Sequence, residues 1–169
     1  MKRLTALMTV GFVVILTNCK SPDNFVSITP SISVWLPNNY KISNVNTHSH
    51  DTTFEATLNH DRLNVFKLYI KGADTLSLDK KKDELQKNVD KFIKTFDVKN
   101  VIVSDKMIGN IIQKDFSFGF TRHDSAFIFY GRFLCVNENF LAFCYQTINP
   151  ADQNSIKTKD KFFDFYLTK

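Results

Sequence analysis

His48 and His50 have the clearest chemical spacing in this chain. In an extended segment, side chains two apart point the same way, so Thr47-His48-Ser49-His50-Asp51 offers two imidazoles to one side. Two imidazoles are half of a tetrahedral zinc site. The rest of the set is missing from the pattern. Asp51 follows His50 directly, and His60 lies ten residues on, roughly 30 Å away in extended chain at about 3.3 Å per residue. The pair reads first as polar loop histidines, with metal binding as the alternative, and no cofactor is assigned.

Cys135 and Cys144 lie in two apolar segments joined by Asn137-Glu138-Asn139. With those three residues as the turn, Cys135 faces Leu141, and Cys144 lies three positions further along on the other face. With a two-residue turn at Glu138-Asn139, Cys135 faces Ala142. Cys144 is then a diagonal neighbour about 7 Å away, at the limit of disulfide reach. Both read as buried free thiols, with a bridge as the alternative. A nucleophilic role needs a histidine nearby, and no motif places one. The chain also has no glycine-rich phosphate loop, no Gly-x-Ser-x-Gly elbow and no paired-carboxylate motif. It is therefore expected not to be an enzyme.

Cys19 carries the most defined chemistry. Lys2 and Arg3 precede Leu4–Leu16, thirteen uncharged and mostly apolar residues, and Leu16-Thr17-Asn18-Cys19 follows. Thirteen helical residues cover about 20 Å, short of a bilayer core of about 30 Å, so the stretch reads as a secretory signal. Its last four residues resemble the lipobox of bacterial lipoproteins, with Asn18 in place of the usual Gly, Ala or Ser. That resemblance implies cleavage before Cys19 and diacylation of its sulfur. Residues 1–18 are then the signal peptide, 19–30 a lipidated tether and 31–169 a single domain. The implied partner is the membrane, through lipid on Cys19. The implied address is the cell envelope, at the outer membrane facing the periplasm.

Without residues 1–18 the chain has 151 residues, enough for one domain with its own core. It keeps 20 basic and 17 acidic residues, a net +3 too mild to argue for nucleic acid. Over the full chain, seventeen Phe against five Gly and four Pro argue for order.

The elements that must position these residues are mostly strands. Ser31–Leu36, Tyr40–Val45, Thr53–Leu58 and Leu63–Ile70 read as strands, the last two flanking a polar turn at 59–62. Leu85, Val89, Phe92, Ile93 and Phe96 form one stripe of a helix over 79–96, capped by Ser77 or Asp79. Asp83 with Lys87 and Asp90 with Lys94 are spaced for i,i+4 pairs. Lys80–Lys82, Lys87, Lys91 and Lys94 make its outer face basic, a solvated face or else a contact for anionic lipid. Asn100–Val103 reads as a short strand. A meander follows over Ile111–Arg122, Ala126–Val136 and Phe140–Ile148, with turns at 123–125 and 137–139. Phe116, Phe118 and Phe120 alternate, giving that strand an apolar face. The predicted class is α+β: a mostly antiparallel sheet with the amphipathic helix and a C-terminal helix packed on it.

This order of elements resembles the PsbP-like fold shared by DcrB-like bacterial lipoproteins. The resemblance rests on Val34-Trp35-Leu36-Pro37-Asn38-Asn39-Tyr40, on a helix before an antiparallel meander, and on Asp160-Lys161-Phe162-Phe163 in a closing helix. It implies a sandwich over about 32–167 and a non-catalytic role, binding an envelope protein partner or assisting a membrane complex. It brings no site residue, and photosynthesis is not inherited from fold. The alternative from size and tether is an immunity or inhibitor lipoprotein against a toxin or lytic enzyme.

Overall fold

The computed structural model describes residues 25–29, 32–36, 41–46, 53–58, 60–96, 98, 100–164 and 166–167. In chain order these are β1 (Phe25–Thr29), β2 (Ile32–Trp35), β3 (Lys41–Asn46), β4 (Thr53–Leu58), β5 (Asp61–Leu68) and α1 (Leu78–Lys94). There follow β6 (Ile102–Ile108), β7 (Ile111–Arg122), β8 (Ser125–Val136), β9 (Asn139–Thr147), α2 (Gln153–Phe163) and β10 (Tyr166–Leu167). The class is α+β. Seven antiparallel strands form one sheet in the order β3-β4-β5-β9-β8-β7-β6, and β1-β2-β10 form a second, small sheet.

Phenylalanine alternation builds one face of the large sheet. Phe116 and Phe118 of β7, Phe129 and Phe133 of β8 and Phe140 of β9 point together and are buried against α1. The helix answers with its predicted stripe. Leu85 and Val89 are fully buried, a gain of about 1.5–3 kcal/mol each. Phe92 lies within 5.2–6.3 Å, centroid to centroid, of Phe66, Phe96, Phe116, Phe129 and Phe133. Ser77 caps α1, its oxygen facing the Lys80 N–H. The spacing predicts Asp83–Lys87 pairing, but Lys87 bonds Glu84 at 2.7 Å, three residues back instead of four, and Asp90 accepts from Gln86.

The opposite face is covered by two things at once. Leu63, Val65, Leu134, Leu141, Phe143 and Tyr145 pack against Ile28, Ile32 and Val34 of the small sheet and against Phe162 and Phe163 of α2. Asp152 caps α2. Ser155 and Tyr145 both donate to Asp61 Oδ2, at 3.1 and 2.6 Å, tying the start of α2 to β5 and β9. The result is three layers: α1, the large sheet, then the small sheet with α2.

Three expectations change. Where composition starts the domain at residue 31, β1 already pairs with β2 from Phe25. Where the pattern gives a short strand at 100–103, β6 runs seven residues and pairs with β7 throughout. Where turns of three residues are expected at 123–125 and 137–139, each has two. Ser125 and Asn139 already belong to the following strands, opposite Arg122 and Val136. His123, Asp124 and Asn137 take left-handed φ of 47°, 61° and 56°, the geometry that matches strand twist in two-residue hairpins.

Candidate functional site

Among the described residues, the small sheet and α2 cover only part of the second face. Beside α2, over β6, β7 and β8, a hollow of about 340 Å³ stays open. Ile102, Ser104, Asp115, Ser117, Tyr130, Arg132 and Phe163 line it, with Lys159, Asp160 and Asp164 from α2 and its C-terminal end.

Strand register brings its charges together. Asp115 is directly opposite Arg132, and both project on the face away from the phenylalanine stripe. Arg132 Nε and Nη2 donate to the two carboxylate oxygens at 2.7 and 2.9 Å, the paired fork geometry that makes such bonds strong. Gln113 Nε2 donates to the same carboxylate, and Lys106 Nζ stands 3.7 Å from it. The third guanidinium nitrogen, Nη1, donates to the Phe163 carbonyl at 2.7 Å, and the cation lies 5.0 Å from the Phe163 ring centre. A cation there also suits the negative end of α2. Lys159 sits 4.8 Å from the Tyr130 ring centre and 3.3 Å from Asp160. The walls are thus apolar patches between charges of both signs, held in place by protein partners. Such a surface can receive a short segment of mixed polarity.

Cys19, His48 and His50 lie outside the described residues. Among the described residues, no three His, Cys, Asp or Glu side chains come together as a metal site. His60 is exposed at the β4–β5 turn. Cys135 and Cys144 are free and buried. Neither turn considered for them forms: Cys135 faces Phe140, and Cys144 faces Gly131. They share the α1 face, but along the strand they stand four positions apart, roughly 13 Å at about 3.3 Å per residue. Burial raises both thiol pKa values, opposed at Cys135 by the Lys81 charge. Native protein at about pH 8 should therefore take up no alkylating reagent at Cys144, while unfolded protein takes it up at both, as peptide mass spectrometry will show. The preference for the neutral thiol is present in full below the ordinary thiol value near 9 and is lost as pH rises from there toward the folded value.

Three of the six lysines on the basic face of α1 have partners within the protein. Lys81 donates to the Asn137 carbonyl at 2.9 Å, and Lys82 and Lys87 stand 3.9 and 2.7 Å from Asp79 and Glu84. It also lies on the layer opposite β1, the strand nearest Cys19 in sequence. The residues of the hollow carry no motif, and Asp115 and Arg132 read from sequence only as interruptions of apolar strands. The signal was their placement off the phenylalanine alternation.

Fold and site together define an α+β domain with a preformed surface hollow. No family model matches the sequence, and no curated protein matches it. Among solved structures, PA94 of Pseudomonas aeruginosa, a protein of unknown function, is similar at 10% identity and TM-score 0.45, over 82% of this chain and 93% of that one. LpqN of Mycobacterium tuberculosis, involved in cell envelope biogenesis, is similar at 8% identity and TM-score 0.43, over 83% of this chain and 87% of that one.

Proposed function

We propose that this chain is a membrane-tethered, non-catalytic binding or accessory module of the bacterial envelope, which holds a partner segment in the hollow beside α2. The observation that carries the reading is the Asp115–Arg132–Phe163 lock. It fixes the hollow's shape before anything binds, and preorganisation of this kind lowers the cost of recognition. The lipobox-like Leu16–Cys19 supplies the tether, and the PsbP-like order of elements is in keeping with a binding role. With the fold starting at Phe25, six residue steps from Cys19 reach at most about 21 Å, so the partner lies close to the membrane.

The test places a photoreactive side chain at Ser117, inside the hollow, and in a control at exposed Asn154, in the full chain in its own membranes. The expected result is one crosslinked partner from Ser117, little from Asn154, and at least a five-fold loss when Lys159→Glu is added. Cys19→Ala should move the protein out of the membrane fraction. Equal labelling from both positions overturns the hollow as the binding site, and membrane retention of Cys19→Ala overturns the tether.

A further inference from the structure

We infer that β6 pairs with β6 of a second copy of this chain, antiparallel about Asp105, joining two seven-stranded sheets into one. β6 ends the sheet order, and all seven of its residues are exposed. Four of them are large and apolar: Ile102 (73% exposed), Val103 (42%), Met107 (53%) and Ile108 (59%). A long regular edge with such residues is what soluble proteins avoid. The opposite edge, β3, carries a register shift between Ile42 and Asn44, a bulge that discourages pairing, whereas β6 runs along β7 with no shift.

The occupant follows from the pattern Ile-Val-Ser-Asp-Lys-Met-Ile, which is nearly the same read from either end. Two edges related by a twofold axis through the sheet keep their faces, so the axis must pass through a residue. Centred on Asp105, Ile102 meets Ile108 of the second copy and Val103 meets its Met107. Moved one residue either way, an apolar side chain meets Lys106 or Asp105. Only the Asp105 register puts every exposed apolar residue opposite another. It also extends the existing core: Val103 and Met107 are already opposite Phe116 and Ile112, both buried beneath α1.

The backbone fits the same register, which sets the two Asp105 carboxylates opposite each other, each offset by its own Lys114. In a two-residue hairpin the pair flanking the turn, here Ile108 and Ile111, is hydrogen-bonded, and bonded and non-bonded pairs alternate from there. Val103, Asp105 and Met107 therefore turn their N–H and C=O outward, placed to bond a strand centred on Asp105. The charges that would guard this edge are already committed. Asp105 accepts from Lys114 at 2.7 Å, and Lys106 reaches toward Asp115. Across the joint, Lys106 of the second copy would be opposite Ser104, a small residue in the same row as Asp115. Edge pairing alone buries less than a standard interface, so a weak, concentration-dependent dimer is expected.

The test uses full chain in its own membranes, carrying Ile102→Cys together with Ile108→Cys, under mild oxidation. In a non-bonded pair the Cα atoms lie about 4.5 Å apart, within disulfide range. The double variant should give a crosslinked dimer on a non-reducing gel. Each single variant should give none above wild type, because identical positions stand six residues apart across the joint. Val103→Pro, which removes an outward N–H and is tolerated on an edge, should cut the dimer at least ten-fold while the thermal melt stays cooperative. A folded double variant with no dimer, equal crosslinking by the single variants, or a band of another protein's mass in place of the dimer would each overturn the pairing.

Discussion

Gly131→Ala should lower stability by about 3 kcal/mol, at the upper end of what overpacking a core costs. Gly131 is directly opposite Phe116 in the β7–β8 ladder, and the Phe116 ring lies across it. A methyl built there falls 2.6 Å from two ring carbons and closer still to the third. The ring cannot move aside. It is 3% exposed and wedged between Phe92, Phe118, Phe129 and Phe133. Gly131 has ordinary strand backbone, so the cost is packing alone. For a domain of this size each kcal/mol moves the melting temperature by about 2–4 °C, so differential scanning calorimetry should show a fall of roughly 6–12 °C. Gly119→Ala is the control. It lies one strand over, and its added methyl would stand 3.6 Å from Ile128 Cδ1, an ordinary contact, so it should be near neutral. Adding Phe116→Leu to Gly131→Ala should recover part of the loss, and the double-mutant cycle should show coupling of about 1–2 kcal/mol. Losses that simply add would mean the ring does not fill the glycine's place.

The same pair of strands shows what the sequence could and could not reveal. A face is a local property: the α1 stripe and the Phe116-Phe118-Phe120 alternation are legible because each repeats within one element. Register is not local. A three-residue turn at 123–125 would place Asp115 opposite Phe133, and every β7 side chain would meet a β8 neighbour from the other face. The true turn is two residues long, and Asp115 is opposite Arg132. What hid this is that His123, Asp124 and Asn137 hold the left-handed positions, where glycine would have announced them. β6 reads too short in the sequence for a different reason. As an edge strand exposed on both faces, it has no alternation to read. The hollow inherits both difficulties, since its floor is β6–β7–β8 and its lock joins residues 17 apart in sequence.

Asp115→Ala should cost about 3 kcal/mol and also disturb the hollow. The carboxylate accepts two bonds from Arg132 and shares Gln113, and both charged side chains are mostly covered, at 17% and 23% exposed. Removing one partner of such a pair leaves the other charge half-buried with fewer partners, which in fully buried cases costs about 3–5 kcal/mol. Partial exposure brings the expected value to the low end of that range. Released from Asp115, Arg132 also loses the orientation that aims Nη1 at the Phe163 carbonyl, so the end of α2 should loosen. Amide hydrogen exchange over 160–164 should rise in Asp115→Ala, while exchange in α1, on the far side of the sheet, should change little. Replacing both partners, Asp115→Leu with Arg132→Met, removes the charges together and should cost less than Asp115→Ala alone. If the paired replacement is as stable as wild type yet loses the Ser117 crosslink, the lock serves recognition rather than folding. If the crosslink survives in both variants, the hollow's shape does not depend on it, and the binding reading loses its main support.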